Sequence, residues 1–220
     1  MANNVSGNYE ITNREIDVVK TLFDFYNVKY KSITKHKNAN DGDILVVLPD
    51  DSSVVIEVKE EFESRFLRFG DLGIDLVSCF QFKKDVNPND WKGVKHGSET
   101  IKFFKDIDKT NRFYKHGKVS YSKSDLWLFF SADKNGQIFY HSFFPGSFMT
   151  SDKFKSYLMR FCNFSVNNKP ADQMSHNDNH LSAVFYINHK DPYLTANAFD
   201  ITKLSKKDPN GFSGGGFGME

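Results

Sequence analysis

Residues 41–61 read DGDILVVLPDDSSVVIEVKEE, two short apolar runs on either side of a Pro-Asp-Asp-Ser-Ser turn. This pattern predicts a β-hairpin with strands over 44–48 and 54–59. Three charged residues stand where a plain hairpin would not need them. Asp43 opens the first strand, and Glu57 and Lys59 interrupt the second. The placement of these three side chains decides which fold and function the sequence predicts.

The second strand is predicted to have one apolar and one charged face. Side chains alternate along a β-strand, so Glu57 and Lys59 should project together, with Val54, Ile56 and Val58 on the opposite, core side. The alternative is a solvent-facing strand with cross-strand ion pairs, for which no function is required.

The register of the hairpin determines whether Asp43 joins this charged face. A turn centred near Asp51 would set Leu45 opposite Glu57 and Asp43 opposite Lys59, with Asp43 and Glu57 diagonal at about 7–8 Å between Cα atoms. A slip of one residue would move Asp43 to the other face.

The chemistry of this set is that of a divalent metal site. Two carboxylates, Asp43 and Glu57, and a strand carbonyl, assigned to Val58, are the hard oxygen ligands that Mg²⁺ prefers. Lys59 beside such an ion could orient or deprotonate a water, or stabilise developing charge. The residues therefore indicate phosphodiester hydrolysis, with Asp43, Glu57 and Lys59 as catalytic residues and Mn²⁺ as a substitute for Mg²⁺.

The rest of the chain predicts one domain of the α/β class over 1–205, with a core over about 10–145 and a flexible Gly-rich tail over 206–220. A first helix is expected after a capping box, Thr12-x-x-Glu15. Further expected elements are a strand or buried segment over 74–82, a hairpin of strands 126–130 and 137–144 around Asn135-Gly136, a helix capped by Ser151 or Asp152, and a strand over 181–187.

Composition excludes some classes of function. With 29 Lys and Arg against 28 Asp and Glu, the chain has no global basic signature of nucleic-acid binding. A local basic run over 92–123 could grip a phosphate backbone, with Trp91, Tyr114 and Tyr121 for stacking, or it could serve solubility alone. No apolar run approaches the length of a membrane-spanning helix and the first residues do not resemble a signal peptide, so we expect a cytoplasmic protein without a membrane partner.

The order of these features resembles the PD-(D/E)XK nuclease superfamily of phage and bacterial type. The resemblance covers roughly residues 10–145: a leading helix with an acidic residue, Glu15; the strand after Asp43; the Glu57-x-Lys59 strand; and a later aromatic strand. Gly42 replaces the proline that gives the family its name. The resemblance implies a restriction-endonuclease-like fold, a central mixed β-sheet flanked by helices, in which Glu15 could complete the acidic site.

The function expected from this resemblance is a Mg²⁺-dependent DNA endonuclease, and a homodimer would let two sites reach two strands. Cleavage of Holliday junctions or other branched DNA is an alternative within the class. A catalytically silent relative that binds nucleic acid or another protein is the alternative from a different class.

Overall fold

The computed structural model describes residues 4–38, 41–168 and 181–205. The chain forms two compact units, each built from separated segments, and the bounds that follow apply to the described residues within them. Unit 1 comprises 1–64, 122–148 and 196–220, and unit 2 comprises 65–121 and 149–195. The expectation of a single domain over 1–205 stays a prediction, and the predicted tail over 206–220 lies outside the described residues.

The helices and strands follow one another in mixed order. The α-helices are α1 (Asn4–Phe25), α2 (Glu63–Phe69), α3 (Thr100–Asp106), α4 (Gly146–Met149), α5 (Asp152–Phe161) and α6 (Pro192–Thr195). The strands are β1 (Ser32–Lys35), β2 (Ile44–Val47), β3 (Ser53–Glu60), β4 (Asp71–Phe80), β5 (Gly93–Lys95), β6 (Lys115–His116), β7 (Leu126–Ala132), β8 (Ile138–Pro145), β9 (Asn163–Asn168) and β10 (Leu181–Asn188).

Unit 1 contains a mixed five-stranded sheet in the order β1-β2-β3-β7-β8. The pairs β1–β2, β2–β3 and β7–β8 are antiparallel, whereas β3 and β7 run parallel. The apolar stripe of α1, with Val19 and Phe23 fully buried, belongs to the same core cluster as Ile56 and Val58 of β3. The predicted core face of β3 is therefore confirmed.

Helix α1 starts earlier than the sequence predicted. It begins at Asn4, so Thr12 and Glu15 lie within the helix and do not form a capping box at its start. The prediction from Thr12-x-x-Glu15 was wrong because a capping-box pattern also occurs in a helix interior, where the local pattern alone cannot show that the helix continues upstream.

Unit 2 contains a second five-stranded sheet, in the order β5-β9-β10-β4-β6, with antiparallel strand pairs. Its core contains a cluster of aromatic rings: Phe103 lies 5.3 Å from Phe80 and 5.0 Å from Phe164, measured between ring centroids. The expected helix after residue 151 is confirmed, and Ser151 is its cap, because its hydroxyl accepts a hydrogen bond from the amide of Phe154.

The protein is thus of the mixed α/β class, but it has two sheets where the sequence predicted one central sheet. The predicted hairpin around Asn135-Gly136 is confirmed as β7 and β8. No helix in the described part of the chain is long and apolar enough to cross a membrane.

Candidate functional site

Glu57 and Lys59 lie on the face of β3 opposite to the core, as the alternation of side chains predicted. The ammonium of Lys59 forms an ion pair with Oε1 of Glu57 at 2.6 Å. Glu57 is fully buried, whereas the Lys59 side chain keeps 29% of its surface exposed. A buried carboxylate requires a charged partner, and the lysine supplies one while remaining within reach of solvent.

The register of the hairpin differs from the predicted one by two residues. Leu45 pairs with Val55 where Glu57 was expected. The turn is a short loop of Pro49, Asp50 and Asp51, closed by a 2.8 Å hydrogen bond from the Leu48 amide to the Ser52 carbonyl. Because side chains alternate with a period of two, this error leaves the paired side chains of β2 and β3 on their predicted faces.

Asp43 reaches β3 through a local irregularity of the ladder. Ile44 pairs with Ile56, and the amide of Asp43 also donates to the Ile56 carbonyl at 3.0 Å. Two residues of one strand thus face a single residue of the other, the pattern of a β-bulge, which re-aims a side chain. The half-buried carboxylate of Asp43 accepts a 2.9 Å hydrogen bond from the Val58 amide.

The hydrogen bond from the Val58 amide to Asp43 shows which edge of β3 the candidate site occupies. The amide and carbonyl of one strand residue point to the same edge, so the Val58 carbonyl is directed to the side where Asp43 lies, beyond the last paired residue of β2. The structure therefore brings Asp43, Val58 and the Glu57–Lys59 pair to one short segment of β3. Hard oxygen donors of this type suit Mg²⁺.

The parallel neighbour β7 adds aromatic residues that the sequence analysis did not include in the site. Trp127 pairs with Glu57 and Phe129 with Lys59 in the β3–β7 register, and both rings are buried. The Lys59 ammonium lies 5.9 Å from the centre of the Trp127 ring, within the range of a cation–π contact. Residues 126–130 were predicted as a strand, but their pairing with β3 is non-local and leaves no pattern in the sequence.

Asp125, at the start of β7, is a second carboxylate bonded to β3. Its Oδ2 accepts a 2.7 Å hydrogen bond from the amide of Val55. Burial raises the pKa of Asp125, while the hydrogen bond from Val55 opposes the shift. The Asp125 side chain contacts Val55 on the edge of β3 that faces β7, whereas Asp43 contacts Val58 on the opposite edge. The contact of Asp125 therefore holds β3 against β7.

Glu15 lies half-buried in α1, and its place in the site stays a prediction. Its neighbour Arg14 forms a 2.5 Å ion pair with Glu60, which ends β3. The helix segment around Glu15 is thus tied to the end of the strand that carries Glu57 and Lys59. Glu61, the next residue, is buried, and its amide donates to the Phe130 carbonyl of β7.

The basic run over 92–123 belongs mostly to unit 2, and its role in DNA binding stays a prediction. Trp91 is buried and its indole donates a 2.9 Å hydrogen bond to Asp106, so its proposed use for stacking was wrong. The ammonium groups of Lys95 and Lys102 lie 5.6 and 5.4 Å from the centre of its ring. Tyr121, in contrast, is 43% exposed.

Within the described ranges, no three or more His, Cys, Asp or Glu side chains form a group that could hold a metal by themselves. The site on β3 would combine two carboxylates with a main-chain oxygen and waters. In comparisons with protein families, with curated proteins and with solved structures, no family model, protein or structure matches this chain.

Proposed function

We propose that this protein is a Mg²⁺-dependent DNA endonuclease with a restriction-endonuclease-like fold in unit 1. One observation carries the proposal: the Asp43 carboxylate is bonded to the Val58 amide, beside the ion pair of Glu57 and Lys59. The residues that carry the resemblance to the PD-(D/E)XK nucleases, Glu15, Asp43 and the Glu57-x-Lys59 strand, belong to unit 1 together with β7, whereas residues 65–121 within the range of the resemblance belong to unit 2.

The charges of the site support a role for a divalent cation. Two carboxylates and one ammonium leave a net negative charge, which would repel a phosphodiester. Asp43, Glu57 and the Val58 carbonyl would hold the cation, because they are hard oxygen donors directed to one segment of β3. A bound Mg²⁺ would lower the pKa of a water and offset negative charge on the phosphate.

The protein residues have separate tasks in this proposal. The Val58 amide fixes the orientation of the Asp43 carboxylate through its 2.9 Å hydrogen bond. Glu57 and the Trp127 ring hold the Lys59 ammonium in place, and a side chain that is only partly buried would let it contact a phosphate oxygen or the attacking water. The rigid strand β3 carries these groups, so their positions depend little on loop motion.

The test is the nicking of a supercoiled plasmid by the full chain, with Mg²⁺ and with EDTA. Glu57→Gln and Lys59→Met should each abolish nicking while DNA binding in EDTA survives. Glu60→Gln is the matched control, because it makes the same chemical change on the same strand and affects only a partly exposed ion pair with Arg14. It should retain activity.

Two results would contradict the proposal. Undiminished nicking by the Glu57→Gln and Lys59→Met proteins would remove both residues from the chemistry. A wild-type protein that binds DNA tightly but never cuts it, with Mg²⁺ or Mn²⁺, would favour a catalytically silent binding protein on the same scaffold.

A further inference from the structure

An exposed aromatic surface lies in unit 2, at the end of α5. Phe161, the last residue of this helix, is 63% exposed. Its ring centroid lies 5.0 Å from that of Tyr157, one turn earlier. Tyr193 of α6 stacks on Tyr157 with 4.3 Å between centroids and 18° between planes. We call these three residues the aromatic surface.

A single carboxylate orders two of the three rings. Oδ2 of Asp191 accepts a 2.9 Å hydrogen bond from the Tyr157 hydroxyl, and its Oδ1 accepts from the amide of Tyr193 at the same distance. Burial, and then Asp191, raise the pKa of Tyr157 to about 12, so the hydroxyl remains a donor at neutral pH. A ligand would therefore meet rings already ordered by folding, and less conformational entropy would be lost on binding.

Positive charge lies beside the aromatic surface. A cavity of about 470 Å³ is lined by its rings together with Lys153, Arg160 and Asp152. Asp152 forms a 2.7 Å ion pair with Lys155, and the Asp191 carboxylate bonded to Tyr157 offsets one further charge, so Lys153 and Arg160 leave an excess of one positive charge. The Arg160 guanidinium lies 5.2 Å from the centre of the Phe161 ring, so cation and ring form one composite surface.

We infer that this surface binds an unpaired nucleotide of a DNA strand, with the base stacked on the exposed ring of Phe161, which Tyr157 and Tyr193 support, and the phosphate held by Arg160 and Lys153. Stacking rings flanked by basic groups are the combination that binds single strands, because every base offers a flat face next to an anionic phosphate. In a duplex these faces are covered by neighbouring bases. An uncharged apolar partner would make no use of the two cations.

The inference deepens the proposed function and rests on it, since it names unpaired DNA as the feature recognised by the nuclease. The test measures binding alone, without cleavage. A fluorescein-labelled oligothymidylate is titrated with the full-length Glu57→Gln protein in EDTA, and fluorescence anisotropy gives the Kd. The measured Kd therefore does not depend on whether the Glu57→Gln and Lys59→Met proteins still nick a plasmid.

In the Glu57→Gln protein, the further substitution Phe161→Ala should weaken binding about 5- to 150-fold, the loss expected for one stacked base. Phe161→Trp should preserve binding, because it keeps a flat ring. Phe25→Ala is the matched control: Phe25 is also exposed, at 76%, and lies in unit 1. Arg160→Gln should reduce the slope of log K against log salt by about one. Circular dichroism should show unchanged folding of each variant.

Competition separates the inferred ligand from others. An unlabelled oligothymidylate should compete better than an abasic strand of equal length, and both better than an acidic peptide. Equal competition by the abasic strand would overturn the stacking role. Preferential competition by the acidic peptide would identify a protein-binding surface and overturn the inference, as would equal weakening by Phe25→Ala and Phe161→Ala.

Discussion

The ion pair of Glu57 and Lys59 predicts an asymmetry between two substitutions of similar size. Lys59→Met removes the ammonium and leaves the fully buried Glu57 carboxylate without it, whereas Glu57→Gln leaves a lysine whose side chain is 29% exposed. In Glu57→Gln the Lys59 ammonium can turn to solvent, whereas in Lys59→Met the Glu57 carboxylate stays buried. Lys59→Met should therefore cost more free energy of unfolding.

The size of the difference follows from the burial of each partner. Removing one member of a buried ion pair costs about 3–5 kcal/mol. Partial exposure of Lys59 weakens the pair, and we expect about 2–4 kcal/mol for Lys59→Met. Glu57→Gln loses a charge-assisted hydrogen bond but buries no charge, so its expected cost is about 1 kcal/mol. The double variant should be more stable than Lys59→Met alone.

The assay is urea unfolding at neutral pH, followed by the fluorescence of Trp127, which lies in unit 1 beside the pair. A Trp91→Phe background removes the tryptophan of unit 2. Mg²⁺ should raise the stability of Lys59→Met more than that of the wild type, because the cation supplies the missing counter-charge, and sodium at matched ionic strength should not. Equal losses in the two single variants, or a greater loss in Glu57→Gln, would refute this reasoning.

Three further predictions concern the surroundings of the site. Gly42 has φ of +156°, and a Cβ there would lie 2.5 Å from Cγ1 of Val55. Gly42→Ala should therefore lower the free energy of unfolding by about 1–3 kcal/mol. It should also reduce the rise in melting temperature that Mg²⁺ produces, because the substitution displaces Asp43. The raised folded-state pKa of Asp125 means that its ionisation opposes folding. Asp125→Asn should therefore gain stability relative to wild type as the pH rises from below the ordinary aspartate pKa of about 3.9 to above the raised pKa of Asp125. At higher pH the difference should stay constant. Urea unfolding at a series of pH values measures it. The buried indole N–H of Trp127 has no hydrogen-bond acceptor within the described residues. Trp127→Phe should thus cost less than about 2 kcal/mol in calorimetry, because relief of that N–H partly offsets the lost volume, and a larger loss would contradict this explanation.

The sequence predicted the faces of β3 correctly because side-chain alternation is a local property of any strand. The register required the turn geometry, and there the prediction was wrong by two residues. Asp51 adopts a positive φ of 69°, which suits a short loop of Pro49–Asp51 rather than a turn centred on Asp51. The two-residue error preserves the faces of the paired residues, and Asp43, which precedes β2, reaches the Val58 amide because the bulge directs its carboxylate there.

Non-local pairing could not be predicted from the same patterns. The parallel contact of β3 with β7 joins residues separated by the whole first segment of unit 2, and hydrophobic runs do not encode their partners. The same limitation explains why one sheet was expected. Residues 74–82 and 181–187 were both recognised as strand candidates, but nothing local shows that they pair with each other in a second sheet.

The division of unit 1 into separated segments has a consequence for its synthesis on the ribosome. Ile201 belongs to the core of unit 1, and the Phe199 amide donates to the Phe143 carbonyl of β8. The hairpin of β2 and β3 emerges before β7, its neighbour, which is complete only after residue 132, and the core is complete only once residue 201 has left the exit tunnel. Translation intermediates should therefore carry an unfinished sheet edge at β3, a target for chaperones and proteases until β7 has been synthesised.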